Sequence, residues 1–396
     1  MGGVGRDTES AGRRVMWALY AAGFTTAFGA HGIAASLGGA SAGAVTSVLV
    51  LGGLLALYDG AEVVLKPLFG ALADRVGARP VLLGGLVAFA GASALYVLVD
   101  DAGMLWAARL GQGAAASAFS PAASAMVSRL NPVTRQGRAF GGYGAAKSIG
   151  YTLGPLLGGV LVWAAGLRLL FGVLACLALA VAAWAARTVP PVPPLPRRRQ
   201  TVADLVRRLT EPGFLRPTGA LAAATAALSA GVGFLPVSGK AADLGPLVTG
   251  AAVSLLAGVA ALVQPRTGRA LDGGRLTTAA GLRGGLLLAA SGLVFAVLPG
   301  LPGMLGAAIL IGAGTGLITP LGFAALATAT PRERLGQTMG AAELGRELGD
   351  AGGPLLVGGV AAAATLSWGF GALAGVIALP VLLAALMPRR DGPAER

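Results

Sequence analysis

The stretch Gly141–Gly159, GGYGAAKSIGYTLGPLLGG, has a second copy that begins at Gly340 and reads GAAELGRELGDAGGPLLVGG. Both copies lie in apolar segments, and their glycines recur at four- and nine-residue intervals beside one proline. Glycines at this spacing leave one face of a helix without side chains, so that another helix can approach closely. Two such helices at matching positions predict a membrane protein built from two homologous halves, an arrangement typical of transporters.

A repeat of 199 residues extends beyond these two helices. Four pairs of glycines or prolines share that offset: Pro121 and Pro320, Pro132 and Pro331, Gly137 and Gly336, and Pro155 and Pro354. Agreement at one offset over residues that interrupt or bend helices indicates an internal duplication.

The composition is that of an integral membrane protein. Of the 396 residues, 55% are hydrophobic and only 12% are charged, whereas about 25% of the residues in a soluble domain are charged. The positive residues lie between apolar segments and form no basic stripe interleaved with aromatic residues, so nucleic acid is not an expected partner. One cysteine, one histidine and no nucleophile or metal motif on a span argue against an enzyme and against a bound metal.

A hydrocarbon core about 30 Å thick requires about 20 apolar residues per helix. On this basis we predict twelve transmembrane spans, at 15–37, 44–72, 79–99, 104–128, 138–163, 167–187, 215–237, 245–265, 278–298, 303–327, 336–362 and 366–387. The predicted fold is therefore an all-α integral membrane protein with two pseudo-symmetric six-helix bundles, at 1–187 and 214–396. A cytoplasmic linker at 188–213 joins them and carries a short amphipathic surface helix, Thr201–Glu211.

The distribution of positive charge predicts the orientation. With the N-terminus inside, 24 of the 30 lysines and arginines lie in, or at the edge of, segments on the cytoplasmic side. The opposite orientation would place them outside, against the positive-inside bias. We expect a multi-pass protein of a bacterial cytoplasmic (inner) membrane with both termini in the cytoplasm.

Three motifs resemble the major facilitator superfamily, and the resemblance covers almost the whole chain. The loop GALADRVGAR, Gly70–Arg79, is similar to that family's loop between spans 2 and 3, although Ala78 replaces one of the usual basic pair. A weaker echo, Gly268–Asp272, follows span 8. Arg109-Leu-Gly-Gln-Gly in span 4 is similar to the family's intramembrane arginine motif, and the glycine–proline helix of span 5 resembles the drug/proton antiporter branch. The resemblance implies that the loop and span 5 govern conformational change through Gly70, Asp74, Arg75, Gly77, Arg79, Gly150, Gly154 and Pro155.

Asp74 is expected to hold the two halves together. At the end of span 2 its carboxylate can accept hydrogen bonds from the N-terminus of a neighbouring helix and from Arg135 or Arg138. The alternative is a local turn that is capped by Asp74 and a glycine and has no role beyond its own stability.

Charged residues lie inside the predicted spans on helical stripes. An unpaired charge at mid-membrane costs about 3 kcal/mol, so these groups should be paired, hydrated or protonated. Burial disfavours the charged form of a carboxyl, which predicts proton coupling through Asp59, Glu62 and Arg109. The alternative is that neighbouring charges on one helix only neutralise each other. The expected substrate-binding residues are His31, Lys66, Lys147, Glu343, Arg346, Glu347 and Asp350.

His31 and the pair formed by Lys147 and Arg346 add two further expectations. His31, about midway along span 1, is either a polar cavity residue or a hydrogen-bonded packing residue. Lys147 and Arg346 are 199 residues apart and are expected to clamp an anionic or zwitterionic group from opposite halves.

These residues predict a secondary active transporter that exports a small molecule in exchange for protons by alternating access. The expected partners are that molecule, protons and the lipid bilayer; the energy comes from the proton gradient without a cofactor, and the protein is a monomer. The alternatives are a proton-coupled importer or exchanger of a polar or anionic metabolite, and a flippase for a lysolipid.

Overall fold

The computed structural model describes residues 3–39, 48–98, 101–194 and 210–386. These residues are almost entirely helical, and no strand occurs among them, so the all-α prediction is confirmed. The α-helices are α1 (Gly3–Gly39), α2 (Val48–Val76), α3 (Ala78–Leu98), α4 (Ala102–Arg129), α5 (Gln136–Thr188), α6 (Pro212–Ala241), α7 (Pro246–Asp272), α8 (Thr278–Phe295), α9 (Gly300–Ala329), α10 (Leu335–Ala363) and α11 (Leu366–Leu386).

The repeat is visible in the order and the bounds of the elements. A single 3-10 turn, Val133–Arg135, separates α4 from α5, and the turn Arg332–Arg334 separates α9 from α10. Both turns, and the helices that follow them, begin 199 residues apart. The duplicated sequence therefore produces duplicated local structure.

Helix α5 changes direction at Ala165 and Gly166. The backbone there leaves the helical region, and Gly166 has φ 71° and ψ −174°. Only glycine adopts such a conformation without a steric penalty, because it has no Cβ. The two parts of α5 on either side of this break correspond to predicted spans 5 and 6.

The glycine faces of the two repeated helices pack as predicted, each against the first helix of its own half. In α5, a methyl group on Gly150 would lie 2.8 Å from the carbonyl oxygen of Phe24 in α1, and one on Gly154 would lie 2.9 Å from the backbone nitrogen of Gly32. In α10, a methyl group at the equivalent glycines would meet the backbone of α6, at Ala222 and Ala226. Small residues thus allow two pairs of helices to touch through their backbones.

The two halves meet most extensively through two pairs of crossing helices, α2 with α10 and α5 with α7. Glycines lie at both crossings. A methyl group on Gly70 would collide with the carbonyl of Gly336, and one on Gly137 would lie 2.6 Å from the carbonyl of Gly268. We call the end of the bundle that carries these four glycines the contact end.

Six helices of the described residues are long and apolar enough to cross a membrane. Neither α2 nor α10, which carry the charged stripes, is among the six. The count of twelve spans and the bundle boundaries at 187 and 214 stay predictions. The predicted surface helix Thr201–Glu211 lies, apart from its last two residues, outside the described residues.

Candidate functional site

Lys66 joins the two halves by an ion pair. Its Nζ donates to Glu62 Oε2 at 2.6 Å on the same helix, α2, and to Glu347 Oε1 at 2.5 Å on α10. The side chain of Lys66 is 2% exposed, and those of Glu62 and Glu347 are 5% and 18% exposed. The local pair that the sequence allowed is therefore present, and a second carboxylate from the opposite half shares the same ammonium group.

The repeat contains a neutral counterpart of this contact. Lys66 and Gln264 are 198 residues apart, the same offset as Asp74 and Asp272, and Glu347 lies 199 residues after Ser148. Gln264 Nε2 donates to Ser148 Oγ at 2.7 Å, from α7 to α5. At these equivalent positions one crossing thus carries an ion pair and the other a neutral hydrogen bond.

Glu343 lies between the two cations that the sequence analysis paired. Its carboxylate accepts from Lys147 Nζ of α5 at 3.4 Å and from Arg346 Nη1 of its own helix at 3.3 Å. The Glu343 side chain is 0% exposed, and both cations are 8% exposed. Lys147 and Arg346 therefore both contact a carboxylate of the chain itself, and their role as a clamp for substrate stays a prediction.

A small cavity adjoins this cluster. Its volume is roughly 20 Å³, which is room for about one water molecule. Phe140 and Phe323 stack across the halves beside it, with ring centroids 5.5 Å apart. The lining residues are Phe140, Tyr143, Gly144, Lys147, Ser148, Tyr151, Leu228, Gln264, Thr315, Thr319, Phe323 and Arg346.

Arg109 has an aromatic neighbour. The guanidinium carbon of Arg109, on α4, lies 4.2 Å from the centroid of the Tyr58 ring on α2. Its Nε and Nη1 atoms are buried and have no hydrogen-bond partner among the described residues. Asp59, the next residue after Tyr58, is exposed. A cation over an aromatic face is stabilised by the ring quadrupole, which keeps Arg109 beside the acids of α2.

His31 lies beside the same interface. Its ring centroid is 4.4 Å from that of Tyr151, a residue that lines the cavity. Its Nδ1 is buried without a hydrogen-bond partner in the described part of the chain. The structure thus places His31 one aromatic ring away from the cavity.

Asp350 extends the acidic side of α10. Its side chain is half-buried, and its backbone carbonyl accepts from Ser229 of α6 at 2.9 Å. In the described residues no group of three or more His, Cys, Asp or Glu side chains is arranged to hold a metal ion.

At the contact end, Asp74 links α2 to the opposite half. Its carboxylate accepts from the backbone N–H groups of Gly336 and Gln337, both at 2.8 Å, at the start of α10. It also accepts from Arg129 Nη2 at 2.9 Å. The expected helix N-terminus is therefore confirmed as a partner.

The arginine expected at Asp74 needs correction. Arg129 at the end of α4 takes the role assigned to Arg135 or Arg138. Arg138 lies at the other crossing, where its backbone N–H donates to Asp272, and Arg135 is three residues earlier in the chain. The assignment failed because α4 ends with Arg129 facing Asp74, a direction that residue spacing does not reveal.

Asp272 repeats the contact of Asp74 at the crossing of α5 and α7, but no arginine side chain among the described residues pairs with it. It accepts from the N–H groups of Gly137 and Arg138 at 2.8 Å. The residue 199 positions after Arg129 is Thr328. A cavity of about 230 Å³ lies here, lined among others by Asp272, Val133 and Thr328.

The remaining loop residues have local roles in the structure. Gly77 has φ 99° and forms the turn between α2 and α3, a conformation that favours glycine. Arg79 donates to the carbonyl of Ala186 in α5 at 2.7 Å, within its own half. Arg75 is exposed, as is Pro155 in α5.

Several site residues escaped the sequence analysis: Tyr58, Arg129, Tyr143, Ser148, Tyr151 and Gln264. The repeat carried a signal for two of them. Gln264 lies 198 residues after Lys66, and Ser148 lies 199 residues before Glu347. The aromatic residues had no such signal, since an aromatic residue in an apolar helix is most often part of the core.

Residues 12–299 match the family model of the Major Facilitator Superfamily. Over 113 residues the chain is 36% identical to a tetracycline resistance protein, class H, of Pasteurella multocida, a match that covers 28% of this chain and 27% of that protein. Over 97 residues it is 37% identical to a triacylglyceride transporter of Mycolicibacterium smegmatis, covering 24% and 17%. The chain matches less than a third of the length of these curated relatives.

Among solved structures, the human organic anion transporter MFSD10 superposes with a TM-score of 0.76 and 21% identity. The superposition covers 94% of this chain and 99% of that one. At this level of identity the likeness shows a common fold.

Proposed function

The chain belongs to the Major Facilitator Superfamily, and from this premise we propose that it exports a small molecule in exchange for protons by alternating access. The family model and the sequence motifs indicate the same superfamily. The chain is a multi-pass membrane transporter, and the finer proposal concerns its coupling and its direction.

The observation that carries the proposal is the unequal pair of crossings. Protonation of Glu347 or Glu62 neutralises a carboxylate that is paired with Lys66, and so weakens the contact between α2 and α10. The Gln264–Ser148 contact joins an amide and a hydroxyl, and neither group gains or loses a proton near neutral pH. Proton binding at these acids therefore weakens the crossing of α2 and α10 and leaves the Gln264–Ser148 contact in place, which biases the halves toward separation on one side.

We propose Asp59 and Arg109 as the path by which the proton reaches this pair. Asp59 is exposed, and it follows Tyr58, whose ring lies against Arg109. An exposed carboxylate at one end of a buried acidic stripe is a suitable first acceptor. Glu62 lies one helical turn further along the same face of α2.

The positive residues support a contact end that faces the cytoplasm, in a bacterial cytoplasmic membrane with both termini inside. Arg129, Arg138 and Arg332 all lie at this end, in agreement with the positive-inside bias. In this orientation the structure is closed toward the cytoplasm. The tetracycline resistance relative supports export as the direction of transport.

The experiment is proton release by the purified full chain, measured with a pH dye while tetracycline and a panel of small organic molecules are added. Any substrate that releases protons is then tested in proteoliposomes with an imposed pH gradient. We expect Glu347→Gln to lower proton-linked flux by about tenfold or more, equivalent to about 1.4 kcal/mol. Asp101→Asn, which removes an exposed carboxylate at the start of α4, is the control and should retain flux within about twofold. Flux that needs no proton gradient, or that is the same in Glu347→Gln and wild type, refutes the proposal.

A lipid substrate is the second candidate, because a triacylglyceride transporter is among the relatives with similar identity. Reconstitution with a fluorescent lysolipid or triacylglyceride tests it. Movement of the lipid between leaflets, without proton release by any soluble compound, would favour this candidate over export of a soluble molecule. Uptake driven by an inward proton gradient would instead support the importer or exchanger.

A further inference from the structure

We propose that Glu343 occupies, within the chain itself, the place of an anionic group of the transported molecule between Lys147 and Arg346. The substrate class is then a planar organic anion, such as an aromatic carboxylate, and this inference rests on the proposed transport function. Glu343 acts as an internal competitor that the substrate must displace.

The geometry of the two ion clusters supports an exchangeable carboxylate at Glu343. Lys66 holds its acids at 2.5 and 2.6 Å, whereas Glu343 lies 3.4 Å from Lys147 and 3.3 Å from Arg346. Charge-assisted N–H···O bonds are usually about 2.7–2.9 Å long. Glu343 is thus shared between two cations without a short bond to either.

The charges of the two clusters have opposite sign. Lys147 and Arg346 carry two positive charges against the one carboxylate of Glu343. Lys66 faces two carboxylates, and Asp59 and Asp350 lie on the same helices, α2 and α10. An anion is therefore attracted to the first cluster, and protons are attracted to the second.

The shape of the first cluster suits a flat ligand. Phe140 and Phe323 stack face to face with an interplanar angle of 16°, and Arg346 lies 5.9 Å from the centre of the Phe323 ring. With Glu343 in place the adjoining cavity is only roughly 20 Å³. Movement of the Glu343 side chain away from Lys147 and Arg346, two residues that line this cavity, would vacate its own volume and open a site for an aromatic anion.

The repeat shows that this carboxylate is peculiar to the C-terminal half. The residue 199 positions before Glu343 is Gly144, where an added methyl group would collide with the Gln264 side chain. A glycine in one half and a buried acid in the other, beside cations at equivalent positions, gives the clamp one built-in anion and not two.

The test is binding of benzoate to the purified full chain, with benzamide and benzylammonium as neutral and cationic analogues of similar size. Replacement Glu343→Gln keeps the shape of the side chain and removes its charge, so it should tighten benzoate binding about tenfold. Benzamide and benzylammonium should show no such gain. Isothermal titration gives the affinities.

Asp101→Asn is the control variant. It removes one negative charge at an exposed position, the N-cap of α4, without touching Lys147 or Arg346, and it should leave the affinity for benzoate within about twofold of wild type. If Glu343→Gln does not fold, Lys147→Gln provides the converse test, because loss of one clamp cation should weaken benzoate binding about tenfold.

Three results would overturn the inference: equal benzoate affinity in wild type and Glu343→Gln, stronger binding of benzylammonium, or no benzoate binding in any folded variant. Proton-linked export of neutral or cationic compounds beside any of these results would leave the proposed function intact. The expected benzoate binding without proton-linked flux would instead refute export and leave the anion site standing.

Discussion

Lys66 and Gln264 occupy equivalent positions in the two repeats, and each reaches across to the opposite half of the molecule. Lys66 contacts Glu347 and Gln264 contacts Ser148. The same backbone arrangement therefore carries an ionic contact at one crossing and a neutral contact at the other. This difference is the physical basis for assigning proton sensitivity to the crossing of α2 and α10.

Removal of Lys66 should destabilise the protein strongly. Lys66→Met leaves Glu62 and Glu347 buried without a cation, a change that costs about 3–5 kcal/mol. The triple variant Lys66→Met, Glu62→Gln, Glu347→Gln has no buried charge left at this position and should regain most of that stability while losing proton coupling. Thermal unfolding in detergent measures the first effect, and proton-linked flux measures the second. A triple variant as unstable as Lys66→Met would contradict this account.

The two aspartates at the contact end should differ in their importance. Asp74→Asn loses a charged partner for Arg129, whose Nε and Nη1 already lack hydrogen-bond partners in the described residues, so we expect a loss of about 2–3 kcal/mol. Asp272→Asn weakens two backbone hydrogen bonds and should cost about 1 kcal/mol. Thermal unfolding of the two variants gives the comparison.

Spin labels on Arg75 and Arg332, both exposed at the contact end, report whether the halves separate. Their distance distribution should shift to longer values in Asp74→Asn more than in Asp272→Asn. Equal shifts in the two variants would show that Arg129 adds nothing to closure.

An arginine at position 328 should strengthen the weaker contact. Thr328→Arg places a guanidinium group where the repeat has Arg129, beside a cavity of about 230 Å³ and the carboxylate of Asp272. We expect stability to rise by about 1 kcal/mol and transport to slow, because the closed contact end becomes harder to open. Thr328→Met fills the same space without charge and is the control. A gain in Thr328→Met as large as that in Thr328→Arg would assign the effect to packing.

Substitution of a glycine in α5 should be costly where the residue faces α1 and tolerated where it does not. Gly154→Ala places a methyl group 2.9 Å from the backbone nitrogen of Gly32, and such overpacking costs about 1–3 kcal/mol. Gly159→Ala has nothing within 4 Å of the new methyl group and should gain up to about 1 kcal/mol from helix propensity. Midpoints of thermal unfolding check both. Similar midpoints in the two variants would show that α1 and α5 can move apart without a loss of stability.

The fold was predictable because its signals are periodic. Apolar segments of about 20 residues and a repeat with one offset identify helices and their duplication without any knowledge of side-chain direction. The backbone contacts of Gly150 and Gly154 follow from the same spacing. The bend at Gly166 was placed only as a boundary between two spans, since neither composition nor spacing gives φ.

The candidate site was predictable in part. The stripes on α2 and α10 located the charged residues, and helical spacing placed Lys66 beside Glu62. Spacing along one helix does not show which neighbouring helix its stripe faces. For that reason Glu347 as a partner of Lys66, Glu343 between two cations and Arg129 on Asp74 emerged only from the packed structure.

The unequal contacts of Asp74 and Asp272 predict the order in which the two crossings open. The crossing of α5 and α7, where no arginine side chain among the described residues pairs with Asp272, should separate before the crossing of α2 and α10. Lys147 and Ser148 lie on α5, and Gln264 lies on α7. Water entering along the first crossing to open would therefore reach the cationic pair before it reaches the acids around Lys66, so that the order of opening would itself decide whether substrate arrives before or after the proton leaves.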